Sequence, residues 1–394
     1  MADPPLTGLT VLALEHAIAA PLCSRQLAEL GARVIKVERR GTGDFARHYD
    51  NRARGLSSHF VWTNRGKESL TLDIKRPEAA GILQRLLARS DVLLQNLGPS
   101  ACARLGLDYA ELAPRYPRLI VCNISGYGSG GPYHDRKAYD LLVQAEAGLL
   151  SITGTEAQMA KSGISIADIA AGTQAHGAIL AALLQSQRTG TGCEINISML
   201  EALTEWMGFP LYFSLDGQDP PSRSGADHAS IYPYGVFANG DGGLIMLGLQ
   251  NEREWCSLCL EVLSQPELSN DPRFSDNSRR SSNRVALKAI LDRAFASMDT
   301  QTLTKRLDTA RIAWAHINDM EAVWKHPQLN ASNSFTQADT PNGPIPALRP
   351  PARNSDFETA AGAVPSLGEN TRSILQELGF AKPEIDAFYR SEVV

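Results

Sequence analysis

The first 125 residues alternate apolar runs with segments of helical periodicity. Residues 9–14 (LTVLAL) and 33–38 (RVIKVE) are rich in apolar and β-branched residues, and the segment between them places its apolar residues at helical spacing. The alternation repeats through SLTLDI, DVLLQN and RLIVCNIS. Apolar strands that alternate with helices are typical of a parallel sheet covered on both faces. The pattern therefore predicts a doubly wound α/β domain over residues 1–125.

A Gly-rich loop, GYGSGGPY, follows the last of these strands and leads to a helix with many small residues, ADIAAGTQAHGAILAALLQSQRTG. Small residues let the backbone approach another helix or a ligand closely. After about residue 210 the chain becomes polar and rich in Pro and Gly, which is typical of a linker. The later predicted elements are, in chain order, two strands joined by a tight turn at 239–242, helices over 252–262 and 285–296, a Pro- and Gly-containing linker over 337–351, and a final amphipathic helix near 371–379.

Length and charge narrow the class of protein. The chain has 394 residues, which predicts roughly two domains. Its formal net charge is −5 and it has no dense stripe of Lys and Arg, which argues against a nucleic-acid-binding protein. The longest mostly apolar run, 177–184, is shorter than the about 20 residues of a transmembrane helix, and the N-terminus lacks the features of an export signal. We therefore expect a soluble, cytoplasmic protein that binds neither nucleic acid nor a membrane.

Cysteine and motif patterns exclude several chemistries. The six cysteines are spread along the chain, which predicts reduced thiols, and the C-x-x-C pair of Cys256 and Cys259 lacks a second pair for zinc. No G-x-G-x-x-G, G-x-x-x-x-G-K-[ST] or H-E-x-x-H motif is present, and Ser129 lacks the glycine that a nucleophile elbow has two positions before its serine. The pattern alone thus predicts no metal and a ligand near the strand ends, without naming the reaction.

An ordered set of segments resembles the family III CoA-transferases, the CaiB/BaiF group, which includes formyl-CoA transferase, carnitine CoA-transferase and the α-methylacyl-CoA racemases. The resemblance runs from Leu6 to about Leu378. Its segments are LTGLTVLAL, AAPLCSRQLAELGARVIKVERRGTGDFAR, NRGKESLTLDIK, DVLLQNLGP, GYGSGGPY, KAYDLLVQAEAGL and ADIAAGTQAHGAILAALLQSQRTGTGCEINISMLEAL.

The resemblance implies a fold and an assembly. The implied fold is a doubly wound, Rossmann-like α/β large domain with an inserted small α+β domain, and the implied assembly is an interlocked homodimer. The implied bounds are 1–205 for the first part of the CoA-binding large domain, 206–228 for a linker, 229–325 for the small domain, and 326–394 for a linker and the C-terminal return to the large domain.

The resemblance also implies a catalytic nucleophile, Asp168, just before the small-residue helix. A carboxylate can attack a thioester carbonyl, release CoA thiolate as a mixed anhydride forms, and then take up the thiolate as an enzyme–CoA thioester. Asp168 must be ionised to attack, and water must be excluded so that the anhydride is not hydrolysed. The alternative is that Asp168 is an N-cap of the following helix, and the two roles are compatible.

Positions that match the family's CoA contacts are spread over the first 140 residues. The phosphates of CoA suit guanidinium and ammonium groups. The alternative for Arg39, Lys75 and Arg104 is an ordinary solvated surface. CoA enters as a substrate thioester, and no tightly bound cofactor is expected. The matching positions are Ala17, Arg39, Leu72, Asp73, Ile74, Lys75, Asn96, Leu97, Gly98, Arg104, Lys137, Ala138, Tyr139 and Asp140.

Departures from the family's pattern bear on the reaction. Racemases carry a proton-transferring histidine where this chain has Tyr139, and a tyrosine is a poor base near neutral pH, which favours CoA transfer over racemisation. Formyl-CoA transferases carry a glutamine where this chain has Ile18, and a run of glycines where the segment 232–249 has only DGG. Formyl-CoA and oxalate are therefore poor substrate candidates.

The second half resembles a subgroup that acts on branched C4–C5 dicarboxylates, namely itaconate, mesaconate and citramalate, with succinyl-CoA as partner. The segments that carry this resemblance are RSGADHASIYPYGVF, IAWAHINDMEAVWKHPQL and TPNGPIPALRPP. Arg223 and His228 are candidates for contacts to the substrate's distal carboxylate or to CoA, since a cation suits a dicarboxylate. The alternative for His228 is that it satisfies a turn, and His16 and His48 are further candidates near the expected CoA face.

The expected reaction moves CoA between succinyl-CoA and a C4–C5 dicarboxylate through an aspartyl anhydride and an aspartyl-CoA thioester. Two alternative reactions stay open, an intramolecular C1–C4 transfer of mesaconyl-CoA and an α-methylacyl-CoA racemisation. A CoA-binding protein without turnover is a third alternative.

Overall fold

The computed structural model describes residues 2–359 and 361–394. The chain divides into two compact units. The large unit contains the chain up to Gly148, then Ser162–Gly208 and Pro327–Val394, and the small unit contains Leu149–Lys161 and Phe209–His326.

The elements follow one another along the chain as strands and helices of mostly modest length. Up to residue 213 they are β1 (Thr10–Leu14), α1 (Ala19–Glu29), β2 (Arg33–Glu38), α2 (Ser58–Asn64), β3 (Lys67–Thr71), α3 (Ala79–Leu87), β4 (Val92–Gln95), α4 (Pro99–Arg104), α5 (Tyr109–Leu112), β5 (Ile120–Ser125), α6 (Asp140–Glu146), α7 (Leu149–Ile152), α8 (Ile166–Thr189), β6 (Glu194–Ser198), α9 (Met199–Trp206) and α10 (Gly208–Phe213). The later elements are β7 (Tyr234–Ala238), β8 (Leu244–Gly248), α11 (Glu252–Ser257), α12 (Asn277–Ser282), α13 (Arg284–Phe295), α14 (Thr300–Thr309), β9 (Ala313–His316), α15 (Met320–Trp324), α16 (Pro327–Ala331), β10 (Phe335–Ala338), β11 (Ile345–Leu348), α17 (Thr371–Glu377) and α18 (Lys382–Arg390).

The large unit is built on a parallel sheet with the strand order β3-β2-β1-β4-β5-β6. Leu12 of β1 lies opposite Ile35 of β2 on one side and Leu93 of β4 on the other. The strands are buried on both faces, by one apolar cluster that includes Val11 and Val92 and by another that includes Leu12 and Leu93, except for the edge strand β6, which is largely exposed. The strand order reverses between β1 and β4, where such sheets open a crevice at their carboxyl ends. The sheet confirms the predicted doubly wound α/β class.

Helix α8 is the central helix of the large unit. Ala170, Ala171 and Ala175 are completely buried in it. At 24 residues it is long and apolar enough, by length and composition, to cross a membrane. The uninterrupted apolar run 177–184 is only a part of this helix. Gly, Ser, Thr and Gln residues lengthen the helix beyond that run without adding charge. The position of α8 among α1, α6 and α9 is that of a core helix.

The small unit contains an antiparallel sheet in the order β7-β8-β9. β7 and β8 form the hairpin that the tight turn predicts, with Val236 opposite Met246. The buried aromatic side chains of Phe237, Trp255 and Phe295 form much of the core of this unit.

The expectation of a linker over 337–351 was wrong. β10 and β11 form a hairpin there, with Thr336 opposite Ala347. Pro341 and Gly343, which favoured a linker, lie in the turn between these strands. Each strand has only four residues, too few for an alternation to be clear. The predicted final helix is also followed by another, α18.

Candidate active site

The turn between β1 and α1, residues 15–18, is held by side chains from neighbouring segments. The backbone N–H of His16 donates to Oδ1 of Asn96 at 3.0 Å, and Nδ2 of Asn96 donates to the His16 carbonyl at 2.8 Å. The N–H of Ala17 donates to Oδ1 of Asp44 at 3.1 Å. Ala17 has a φ of 64°, a left-handed value that residues other than Gly rarely adopt. The turn therefore lies at the crevice between β1 and β4 in a conformation fixed by tertiary contacts.

Asp168 lies against this turn. It is the third residue of α8, and its carboxylate accepts the N–H of Ala19, the first residue of α1. One turn further along α8, a Cβ at Gly172 would lie 2.5 Å from the Ala19 carbonyl oxygen. Only a glycine at 172 lets the two helices approach this closely. The close approach places a backbone donor at the Asp168 carboxylate.

Asp140 provides the cap of α8. Its Oδ1 accepts the N–H of Ala167 at 2.8 Å and that of Asp168 at 3.4 Å. The N-cap position of α8 is Ser165, whose side chain makes no capping hydrogen bond. The capping role considered for Asp168 therefore belongs to Asp140, and the Asp168 carboxylate is left available for chemistry.

The surroundings of Asp168 favour a carboxyl group that titrates near neutrality. Burial raises the pKa of Asp168 to about 7, the Asp140 carboxylate adds to this increase, and the N–H of Ala19 opposes it. A carboxyl group with such a pKa is substantially ionised at pH 7 and is poorly solvated. Both properties suit a nucleophile.

A cavity of about 1020 Å³ opens at the carboxyl ends of β1 to β4. His16, which belongs to the β1–α1 turn, and Asp44, which accepts a hydrogen bond from that turn, lie on its wall. The cavity therefore ends at the turn that contacts Asp168. The predicted CoA residues on its wall are Arg39, Leu72, Asp73, Ile74, Lys75, Leu97 and Arg104.

Some of the charged residues that line this cavity form an ion pair and others do not. Arg40 forms an ion pair with Glu392 at 3.2 Å, and both residues line the cavity. Arg39, Lys75 and Arg104 are exposed on the wall and have no ion-pair partner within the described residues. Three exposed cations without anionic partners around one cavity indicate an anionic ligand.

The other predicted CoA residues lie off this wall. Ala17 belongs to the β1–α1 turn, Asn96 follows β4 and bonds to that turn, and Gly98 is the N-cap residue of α4. Lys137 lines a smaller cavity of about 500 Å³, together with Arg136.

The last three predicted residues border the Gly-rich loop and α6. A Cβ at Gly126 would lie 2.0 Å from Cβ of Ala138, so these two backbones are in close contact. Tyr139 is exposed at the N-cap of α6, and Asp140 begins that helix.

Arg223 and His228 both lie in the small unit and both contact backbone groups. Nε and Nη2 of Arg223 donate to the carbonyls of Thr155 and Glu156, each at 2.9 Å. Nδ1 of His228 accepts the N–H groups of Ser230 and Ile231 at 3.2 and 3.1 Å, which places the proton of a neutral ring on Nε2. These bonds match the turn role considered for His228, and the substrate role of both residues stays a prediction.

The sequence patterns missed Asp44 and Tyr49. Asp44 follows β2 in a short polar loop, RGTGD, and nothing local relates it to Ala17. Burial, with the Asp44 and Asp168 carboxylates, raises the pKa of Tyr49 to about 12. The Tyr49 phenol thus stays protonated at neutral pH and lies close enough to Asp168 to interact with its charge.

The comparisons with known proteins show the family of the chain. The family model described as CoA-transferase family III matches residues 6–371, and the chain belongs to that family. It is therefore an enzyme of the CoA-transferase class.

Particular relatives cover nearly the whole chain. The chain is 33% identical to a human succinyl-CoA:glutarate CoA-transferase, over 95% of this chain and 86% of that protein. It is 30% identical to a succinyl-CoA–D-citramalate CoA-transferase of Chloroflexus aurantiacus, over 95% of this chain and 94% of that protein. A crystal structure of a CaiB/BaiF family protein from Brucella suis superimposes with a TM-score of 0.85 at 32% identity, over 96% of this chain and 100% of the other.

Proposed function

We propose that this enzyme moves CoA from succinyl-CoA to a five-carbon dicarboxylate, with Asp168 as the nucleophile. The observation that carries the proposal is the continuity between the cationic cavity and Asp168. The cavity ends at His16 and Asp44, and the turn that contains His16 and is held by Asp44 leads into Ala19, which contacts the Asp168 carboxylate. A CoA thioester in this cavity would have its phosphates near the cations and its thioester toward Asp168.

Recognition of CoA rests on the unpaired cations. Arg39 follows β2, Lys75 follows β3 and Arg104 ends α4, so three separate segments each contribute one cation to the cavity wall. Guanidinium groups bind phosphate through paired N–H donors, and Lys75 supplies a compact charge. These residues replace the Gly-rich phosphate loop that the chain lacks after β1.

The proposed chemistry takes place at one carboxylate. Asp168 attacks the thioester carbonyl of succinyl-CoA, the carbon–sulfur bond breaks, and CoA leaves as its thiolate with the mixed anhydride left on Asp168. The thiolate then attacks the aspartyl carbonyl and releases succinate. The acceptor carboxylate repeats these steps in reverse order and leaves as its CoA thioester. No proton is transferred in the net reaction, which suits a site whose only required ionised group is Asp168.

The acceptor class is supported by the relatives. The human relative is named for succinyl-CoA and glutarate, and the Chloroflexus relative is named for succinyl-CoA and D-citramalate. Both acceptors are five-carbon dicarboxylates. We therefore include glutarate with itaconate, mesaconate and citramalate as candidate acceptors.

The experiment is a panel of acceptors incubated with succinyl-CoA, with CoA products read by mass spectrometry. We expect one or more five-carbon dicarboxylates to yield the corresponding CoA thioester together with an equal amount of succinate. Pentanoate is the matched control, because it lacks only the distal carboxylate of glutarate. The substrate proposal is wrong if pentanoate or oxalate is a better acceptor than every five-carbon dicarboxylate.

The alternative reactions give different products. Intramolecular transfer would convert mesaconyl-C1-CoA into the C4 isomer without any added acid. A racemase would exchange the α-proton of 2-methylacyl-CoA in deuterated water without an acceptor. We expect neither reaction to proceed as fast as transfer from succinyl-CoA, and α-proton exchange as the fastest reaction would overturn the transferase proposal.

We also propose that the chain works as a homodimer. Helix α10 exposes a continuous set of large apolar side chains, including Phe209, Leu211 and Tyr212, the last being 79% exposed. Apolar patches of this kind are typical of interfaces. Light scattering should give twice the mass of one chain, and a monomer that remains fully active would contradict the proposal.

A further inference from the structure

The β1–α1 turn is fixed at three successive residues. The buried carboxylate of Glu15 accepts bonds from Nζ of Lys67 at 2.6 Å and from Oγ of Ser24 at 2.7 Å. The backbone of His16 is held on both sides by Asn96, and the N–H of Ala17 is held by Asp44. The proposed reaction uses none of these side chains as a nucleophile, acid or base.

Asp44 is itself firmly anchored. Its Oδ2 accepts Nζ of Lys36 at 2.8 Å, its Oδ1 also accepts the N–H of Ala46 at 2.9 Å, and its own N–H donates to Glu38 at 3.0 Å. Burial opposes the charge of Lys36, yet Glu15 and Asp44 raise the pKa of Lys36 overall. Since Lys36 and Asp44 form a charged, buried pair, breaking it would leave an uncompensated charge.

The turn controls where the N–H of Ala19 points. Ala17 holds a left-handed φ of 64°, which persists in a non-glycine residue only when surrounding contacts impose it. α1 begins two residues later at Ala19, and Ala19 donates to Asp168. A change in the backbone at Ala17 would redirect the chain at Ala19 and remove this donor from the carboxylate.

We propose that Asp44 and Asn96 are positioning residues for Asp168, because they hold the β1–α1 turn in the conformation that presents the Ala19 N–H to its carboxylate. This inference rests on the proposed function of Asp168. It gives Asn96 a role in the chemical step, whereas the family resemblance implies a CoA contact. Asn96 is also absent from the wall of the CoA-sized cavity.

The test compares Asp44→Asn and Asn96→Ala with the wild-type enzyme in succinyl-CoA transfer to its best acceptor. We expect kcat to fall by roughly 10- to 100-fold while KM for succinyl-CoA changes by less than about threefold, as for misplaced catalytic groups. In Asn96→Ala the carboxylate loses a hydrogen-bond donor, so the ionisation seen in the pH dependence of kcat/KM should move to higher pH.

Thr371→Val is the matched control. It removes the buried hydroxyl that accepts the N–H of Thr71 in the same unit and does not touch the turn or the contacts that hold it. Its melting temperature should fall while its kcat equals that of the wild type. If either positioning variant fails to fold, Ala17→Val replaces it, because a β-branched side chain disfavours the left-handed φ. Its kcat should lie at least about fivefold below that of Ala17→Gly.

The outcomes separate this inference from the proposed function. If the wild type transfers CoA but the Asp44 and Asn96 variants match its kcat, the positioning role is wrong. A rise in KM at unchanged kcat would also overturn it, since that result marks a CoA contact. If the wild type itself transfers no CoA, the proposed function is wrong, and the positioning role that rests on it is wrong as well.

Discussion

Oδ1 of Asp140 accepts the backbone N–H of Asp168 at 3.4 Å, so two carboxyl groups from different helices lie together at the N-terminus of α8. One of them caps the helix and the other is the proposed nucleophile. The charge of Asp140 adds to the effect of burial and raises the pKa of Asp168, which reaches about 7. The cap therefore also sets the pH range of the chemistry.

This relationship predicts the pH dependence of the enzyme. Because Asp168 must be ionised to attack, kcat/KM should rise with pH and reach half its maximum near pH 7, which is the pKa of Asp168. Asp140→Asn keeps an oxygen for the α8 N–H groups and removes the charge, so the half-maximum should move to lower pH. Asp135→Asn removes a charge from the loop that precedes α6 as a control, and an equal displacement in this variant would contradict a specific effect of Asp140.

The raised pKa of Asp168 also predicts that the free energy of unfolding depends on pH. The folded state holds the Asp168 proton up to about pH 7, whereas the unfolded chain releases it near pH 3.8. Between these values the folded state binds more protons, so stability falls as pH rises and levels off above pH 7. Asp168→Asn cannot ionise, and at pH 8 it should be more stable than the wild type by up to roughly 4 kcal/mol.

Thermal melts at pH 8 and pH 4 test this prediction. The gain in melting temperature of Asp168→Asn should be largest at pH 8 and nearly absent at pH 4. A variant that is less stable than the wild type at pH 8 would show that the ionised carboxylate is stabilising in the free enzyme.

Removal of a positive charge and removal of a negative charge from the cavity wall should have opposite effects on CoA binding. Arg39→Gln, Lys75→Gln and Arg104→Gln should each raise KM for succinyl-CoA by roughly 5- to 50-fold with little change in kcat, since each removes a charged partner of a phosphate. Glu392→Gln should lower KM, because it removes an anion from the wall and frees Arg40. Unchanged KM values in all four variants would show that CoA binds elsewhere.

Two glycines of α8 provide a matched pair for the contact between helices. A Cβ at Gly172 would lie 2.5 Å from the Ala19 carbonyl oxygen, whereas a Cβ at Gly177 meets no atom within 4 Å. Gly172→Ala should therefore lower both kcat and the melting temperature. Gly177→Ala should raise stability by up to about 1 kcal/mol through helix propensity. Equal effects of the two substitutions would contradict the close contact at Ala19.

The central sheet could be predicted because its inner strands are buried on both faces. A strand such as β1 or β4 therefore appears in the sequence as a short apolar run. The helices between the strands could be predicted from the helical spacing of their apolar residues. The hairpin of β10 and β11 could not be predicted in the same way, because its four-residue strands show no clear alternation and its turn resembles a linker.

The site was only partly accessible from sequence. Family resemblance supplied Asp168 and the cations, and the structure brings Arg39, Lys75 and Arg104 to one cavity. The contacts that hold the turn join residues far apart in the chain: Asn96 lies 80 residues from His16. No local pattern distinguishes a side chain that binds a ligand from one that binds a backbone turn.

The most direct test of the account is to trap the covalent intermediate. The enzyme is incubated with succinyl-CoA and hydroxylamine, digested, and mapped by mass spectrometry, with Asp168→Asn as the matched control. We expect a hydroxamate at Asp168 that requires succinyl-CoA, and a loss of transfer activity of at least about 10³-fold in Asp168→Asn. A modification at another residue, or wild-type transfer by Asp168→Asn, would contradict the assignment of Asp168 as the nucleophile.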